Sequence, residues 1–170
     1  LAMGTFDDVT AITKIAVNTH LAGAAGVVTG AAVTRLLDNK TDVVMMLNGA
    51  LAGLVAITAE PLSPTPGLAI VIGSLGSLIM YFGTKFLERR GLDDVVGAIP
   101  VHMFAGTFGT LIVPISNPDT SFGMQFTGVL AVCSFSFILS FIIFKTLKAT
   151  VGLRTVSYTH LRAHETRGNL

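Results

Sequence analysis

The chain has 170 residues, 51% of them hydrophobic and only 12% charged, with a formal net charge of +1 and a mean hydropathy of +0.73. That balance is too apolar for an ordinary soluble domain and reads as a protein with several membrane spans. The basic residues are dispersed, with no basic run carrying interleaved aromatics, so nucleic acid is excluded as a partner. The single cysteine, Cys133, offers neither a disulfide framework nor a thiolate metal site.

The sequence opens at Leu1 in mid-element, without an initiator methionine or a signal peptide, which predicts an internal piece of a longer protein. Five apolar segments can be marked, at residues 12–36, 43–59, 67–87, 95–115 and 124–147, each near the ~20 residues that ~30 Å of hydrocarbon requires. The second is short, so it must stand nearly upright or lie partly inside the protein. The breaks are DNKTD at 38–42, PLSPTPG at 61–67, ERRGLDD at 88–94 and SNPDTS at 116–121, all rich in turn residues.

Arg35 and Lys40 follow the first segment, Lys85, Arg89 and Arg90 close the third, and Lys145, Lys148 and Arg154 close the fifth. The loops at 59–67 and 114–122 hold no Lys or Arg, so the positive-inside rule puts the basic ends in the cytoplasm. The fourth segment then runs from cytoplasm to exterior. Lys14, near Asp7 and Asp8, falls at the outer end of the first segment as an interfacial residue.

Small residues recur at helical spacing: Ala22, Gly26 and Gly30; Gly49 and Gly53; Gly73 and Gly76; Gly106 and Gly109. Such residues let membrane helices approach closely and predict a tight bundle. Asn18, His20 and Asn48 are polar groups within the spans, each read as an interhelical hydrogen bonder.

The fourth segment, DDVVGAIPVHMFAGTFGT at 93–110, carries one ionisable group near its middle, His102. An ionisable side chain at membrane depth is costly and marks function by default. On an α-helix the residues stacked with it are Val95, Ala98, Ile99, Ala105, Gly106 and Gly109, a small and uncharged face that leaves lumen around the ring. No carboxylate stands one turn away, so a neutral imidazole is expected, donating one hydrogen bond and accepting another. Ala98, Ile99 and Gly106 are the candidates for pore wall. Pro100 lacks an N–H and frees a carbonyl near Val96, which kinks the helix or faces a cavity. Asp93 and Asp94 suit the N-terminus as cap and as charge against the dipole. The bland alternative is a histidine bonded to a neighbouring helix for packing. Enzyme chemistry is not expected, since His102 has no acidic or nucleophilic partner within its helix.

AVNTHLAGAAG at 16–26, LNGALAGLVAIT at 47–58, DDVVGAIPVHMFAGTFGT and TVGLR at 150–154, in this order, resemble the ammonium transporter family that includes methylammonium permeases and Rh proteins. The resemblance covers nearly all of residues 1–154. It implies an all-α polytopic membrane bundle in which these five segments are the seventh to eleventh of eleven helices, built as two inverted five-helix repeats with the C-terminus cytoplasmic. His102 matches the helix-ten member of the family's pore histidine pair, whose partner lies on helix five. The implied function is passage of ammonium or ammonia through a narrow hydrophobic pore in the cell membrane, as a homotrimer and without cofactor or metal. An ammonium sensor signalling through a cytoplasmic C-terminal region is the alternative. A nitrogen-regulatory signalling protein at the cytoplasmic face is an implied partner. Many relatives carry a further acid between the paired acids and the histidine, where this sequence has Gly97, a mark of a subfamily.

The membrane domain is therefore expected over 1–155. Residues 156–170, VSYTHLRAHETRGNL, abandon the apolar pattern and resemble the one-frame translation of a transposon-derived sequencing adaptor, so they are expected to lie outside the fold. His160 and His164 stand four apart in that tail but have no third ligand beyond Glu165, and no metal site is expected there.

Overall fold

In a computed structural model that describes residues 6–152, the apolar segments are helical and the breaks between them are turns. The helices are α1 (Phe6–Leu37), α2 (Val43–Thr58), α3 (Pro66–Arg89), α4 (Ala105–Leu111) and α5 (Phe122–Thr150). A π-helical turn (Ile99–Phe104) leads into α4, and a 3₁₀ turn (Val113–Ile115) leaves it. The tail at 156–170, with its two histidines, lies outside the described residues.

The starts of the helices follow from local chemistry. Asp42 caps α2 by accepting from the Met45 N–H at 3.1 Å. Thr65 caps α3 by accepting from Leu68 at 3.2 Å, with Pro66 in the first helical position, where its missing N–H costs nothing. Among the described residues, three helical stretches are long and apolar enough to cross a membrane: Val9–Leu37, Pro66–Arg89 and Phe122–Thr150. α2 and the stretch Ile99–Ile115 are shorter. At 1.5 Å per residue the 16 residues of α2 reach about 24 Å, less than the hydrocarbon thickness. The expectation that α2 lies partly inside the protein agrees with its buried stripe of Gly49, Ala52, Gly53, Ala56 and Ile57.

The chain divides into two compact units, residues 1–129 and 130–170. Within the first, α1, α2 and α3 form a sheaf whose contacts are nearly backbone to backbone. A Cβ on Gly26 would overlap the Gly49 carbonyl, and Cβ atoms on Gly53 and Gly73 would both overlap the Ala22 carbonyl. Ser77, fully buried, donates to the Gly26 carbonyl at 2.9 Å across the same crossing. The small-residue spacing seen in the sequence thus marks the helix crossings. In the second unit, the described residues continue α5, which has no buried residue.

Side-chain bonds identify the two ends of the sheaf. At one end, Tyr81 on α3 donates to Asp38 after α1 at 3.0 Å, and Lys85 reaches the same carboxylate at 3.6 Å. At the other, buried Asn18 donates to the carbonyls of Pro61 and Pro64, both at 2.9 Å. There too Asn117 donates to Glu60 at 3.1 Å. α1 and α3 therefore run parallel and in direct contact, with α2 antiparallel to both. Burial opposes ionisation of Glu60, but bonds from Asn117, Ser63 and Leu62 outweigh it and hold the carboxyl below its usual range.

Two expectations change. Residues 95–115 do not form one α-helix: residues 95–97 are a turn, and regular structure begins at Ala98. Pro100 and Gly97 supply the reason, the first by removing a helical donor and the second by adopting a φ of +73°. His20 does not bond across helices. It is exposed, with Nδ1 2.7 Å from the Ala16 carbonyl of its own helix.

Candidate functional site

The site is built around His102 from the backbone outward. Asp94 stands before the helical stretch, and its two carboxylate oxygens accept the N–H groups of Ala98 at 2.9 Å and Ile99 at 2.7 Å. Two of the four donors that a helix start leaves open are thereby satisfied, with negative charge at the positive end of the dipole. Asp93 is exposed. It lines a cleft of about 140 Å³ together with Asp94, Gly97, Pro100 and the α3 residues Thr84, Leu87 and Glu88.

Beyond the cap the backbone takes π-type bonds, the Ala105 N–H reaching back to the Pro100 carbonyl. π turns of this kind recur at functional sites. The turn has an inner and an outer side. Pro100 and Val101 are buried, and Val101 packs with Ala52, Met80 and Ala105 in one core cluster. Phe104 and Pro100 face Gly83 of α3, where a Cβ would meet both side chains. On the outer side Ala98, Ile99, His102 and Met103 are all exposed.

The structure thus brings together His102, Ala98 and Ile99. It places Gly106 differently: half-buried, with the direction a side chain would take leading to Val55 of α2 at 3.3 Å. Ala105 and Gly109, stacked with His102 in the α-helical projection, are buried, and a Cβ on Gly109 would overlap the Ala56 carbonyl. The cause is the π turn, which holds one more residue than an α turn and rotates the helix beyond it.

The reading of Asn48 as a hydrogen bonder between elements agrees with the structure, which adds its partner. Asn48, on α2, donates from Nδ2 to the Val96 carbonyl at 3.2 Å. That is the carbonyl freed by Pro100, so it is paired across helices instead of opening into a cavity. The two signals, a polar residue in a small-residue stripe and a proline one turn after a carbonyl, lie 48 residues apart, and only the fold joins them.

A family model described as the Ammonium Transporter Family matches residues 3–167. The chain belongs to the ammonium transporter family. Ammonium transporter Amt2 of Archaeoglobus fulgidus is 51% identical over 116 residues, 68% of this chain and 25% of that protein. A putative ammonium transporter of Synechocystis is 36% identical over 150 residues, 82% of this chain and 28% of the relative. The chain therefore spans little more than a quarter of the length of these transporters. Among solved structures, one titled Sensor Amt Protein superposes with a TM-score of 0.80 at 30% identity, over 85% of this chain and 39% of the other. A delta442 mutant of Mep2 from Candida albicans shares the fold with a TM-score of 0.73, over 80% of this chain and 39% of that one, at 24% identity.

Proposed function

We propose that this chain forms part of an ammonium-conducting pathway through the cell membrane, with His102 on the conducting surface and Ala98 and Ile99 as wall beside it. The observation that carries the reading is the exposed side that His102, Ala98 and Ile99 share at the π turn, whose Pro100 and Val101 are buried, in a member of the ammonium transporter family. An apolar lumen rejects hydrated cations, while an imidazole offering one donor and one acceptor accommodates ammonia. Gly106 contributes by lacking a side chain, and Asp93 and Asp94 form the inner end of the segment. The curated relatives are named as transporters, which puts transport ahead of sensing.

Orientation follows the charges. Asp38, Lys85 and the start of the His102 segment share the end that carries Lys40, Arg89 and Arg90, whereas the loops at the Glu60 end hold no Lys or Arg. The basic end is cytoplasmic in this proposal, with the chain passing from there into a multi-pass, homotrimeric membrane protein. A nitrogen-regulatory signalling protein would dock at that face. Residues 156–170 are proposed to be read-through from an adaptor; the family match runs into them as far as residue 167, and recovery of the same codons from the source genome would reject this.

The test is uptake of ammonium and of labelled methylammonium by cells expressing the full gene product and lacking their own uptake. His102→Ala is expected to lower selective flux about tenfold, the worth of a hydrogen bond of ~1.4 kcal/mol, with the assembly intact by size. Unchanged flux and selectivity would remove His102 from the pathway.

A further inference from the structure

Pro100 creates a gap in the backbone accounting at the start of the His102 segment. Having no N–H, it cannot close a helical bond to the Val96 carbonyl, which is left to pair outside its own turn. Four neighbouring donors are satisfied locally. Gly97 donates to the Asp94 carbonyl at 3.1 Å, and Val101 donates to the Gly97 carbonyl at 3.1 Å. Ala98 and Ile99 donate to the Asp94 side chain. The Val96 carbonyl is the exception, and its donor, Asn48 Nδ2, comes from another helix.

Gly97 makes room for that donor. It is buried with φ +73°, and a Cβ there would lie 2.6 Å from Asn48 Nδ2. The amide and the glycine therefore fit as a pair, one filling the space the other leaves.

We propose that Asn48 is a positioning residue for His102: its amide stands in for the donor that Pro100 lacks and, with Gly97, fixes where the π turn begins and so which way His102 points. The consequence rests on the reading of His102 as part of the conducting path. One residue corresponds to about 100° of helical rotation. A start displaced by one residue would turn His102 from the exposed side toward the side where Val101 is packed, 2% exposed.

The test reads position separately from flux. In the full gene product, with the exposed Cys133 replaced by serine, Met103→Cys reports on the outer side of the turn, where Met103 is 54% exposed. Its rate of labelling by a small water-soluble maleimide is compared in the parent, in Asn48→Ala and in Asn48→Asp, which keeps the shape but removes the donor. Each is repeated with Pro100→Ala, which restores a backbone N–H one turn after Val96. The expected result is a change of about fivefold with either Asn48 variant, the scale of one net hydrogen bond, falling below about twofold in the Pro100→Ala background. Unchanged labelling, or the same change in both backgrounds, would overturn the proposal. If Asn48→Ala fails to assemble, Asn48→Asp carries the comparison. Uptake is measured in parallel, where Asn48→Asp is expected to lower maximal flux with half-saturation unchanged. Loss of the labelling effect while His102→Ala still lowers flux defeats the positioning role alone; a retained labelling effect with flux indifferent to His102→Ala defeats the conduction reading alone.

Discussion

Replacing Gly97 by alanine tests the geometry at the head of the His102 segment. Two costs add. A side chain held at φ +73° costs about 1–2 kcal/mol in an L-residue. The new Cβ also displaces the Asn48 amide, 2.6 Å away, and the loss of its bond to Val96 costs about 1 kcal/mol. The sum is ~2–3 kcal/mol for Gly97→Ala. Gly97→Asn separates the two, because asparagine tolerates positive φ while still carrying a Cβ, so it is expected to cost only ~1 kcal/mol. In an Asn48→Ala background, Gly97→Ala should keep only the backbone part, ~1–2 kcal/mol. The assay is denaturant titration of the purified full gene product in detergent micelles, followed by helical circular dichroism. Gly97→Ala within ~0.5 kcal/mol of the parent would refute the reasoning, as would an asparagine variant no better than alanine, since the positive φ would then not be the source of the cost.

Asp94→Ala removes the acceptor of two backbone bonds and is expected to cost ~1–2 kcal/mol in the same titration, with Asp94→Asn about half as damaging because one oxygen remains. Glu60 gives a pH signature. Its carboxyl is held below the usual 4.5, so its contribution is fully present above that value and is lost as pH falls through the lower folded-state value. The thermal midpoint should therefore be flat with pH above 4.5, and the acid-side fall should be shallower in Glu60→Gln; identical profiles would remove the Glu60 to Asn117 contact from the account. For orientation, Leu62→Cys, at a position 39% exposed, should label from outside intact cells and Arg89→Cys only after permeabilisation. The reverse pattern would invert the proposed topology.

Much of the fold was legible because membrane segments are specified locally. Apolar runs must satisfy their own backbone, so length and punctuation alone locate α2, α3 and α5 to within three residues of 43–59, 67–87 and 124–147, and the end of α1 to within one of 12–36, though α1 starts earlier, at Phe6. The glycine spacing likewise names the crossings, since only a missing Cβ lets Gly26 meet Gly49 or Gly73 meet Ala22. His102 stands out for an equally local reason, an ionisable group in an apolar run.

The face that His102 shares is not a local property. An α-helical projection groups it with Ala98, Ile99, Ala105, Gly106 and Gly109, but that projection assumes one hydrogen-bond register throughout. Pro100 breaks the register, and the backbone resolves it with a turn at 95–97 and a π turn at Ile99–Phe104. Ala98 and Ile99 then stay with His102 on the exposed side, while Ala105 and Gly109 turn into the core and Gly106 comes to rest over Val55. The choice depends on a donor from α2, the Asn48 amide on the Val96 carbonyl, and on an α3 surface that packs Pro100 and Phe104 at Gly83. The sequence by itself determined which segments are helical, where they cross and which residue is chemically out of place. Only the packing of three helices decided the direction in which that residue points, because a freed carbonyl is satisfied by whichever donor the tertiary structure brings within reach.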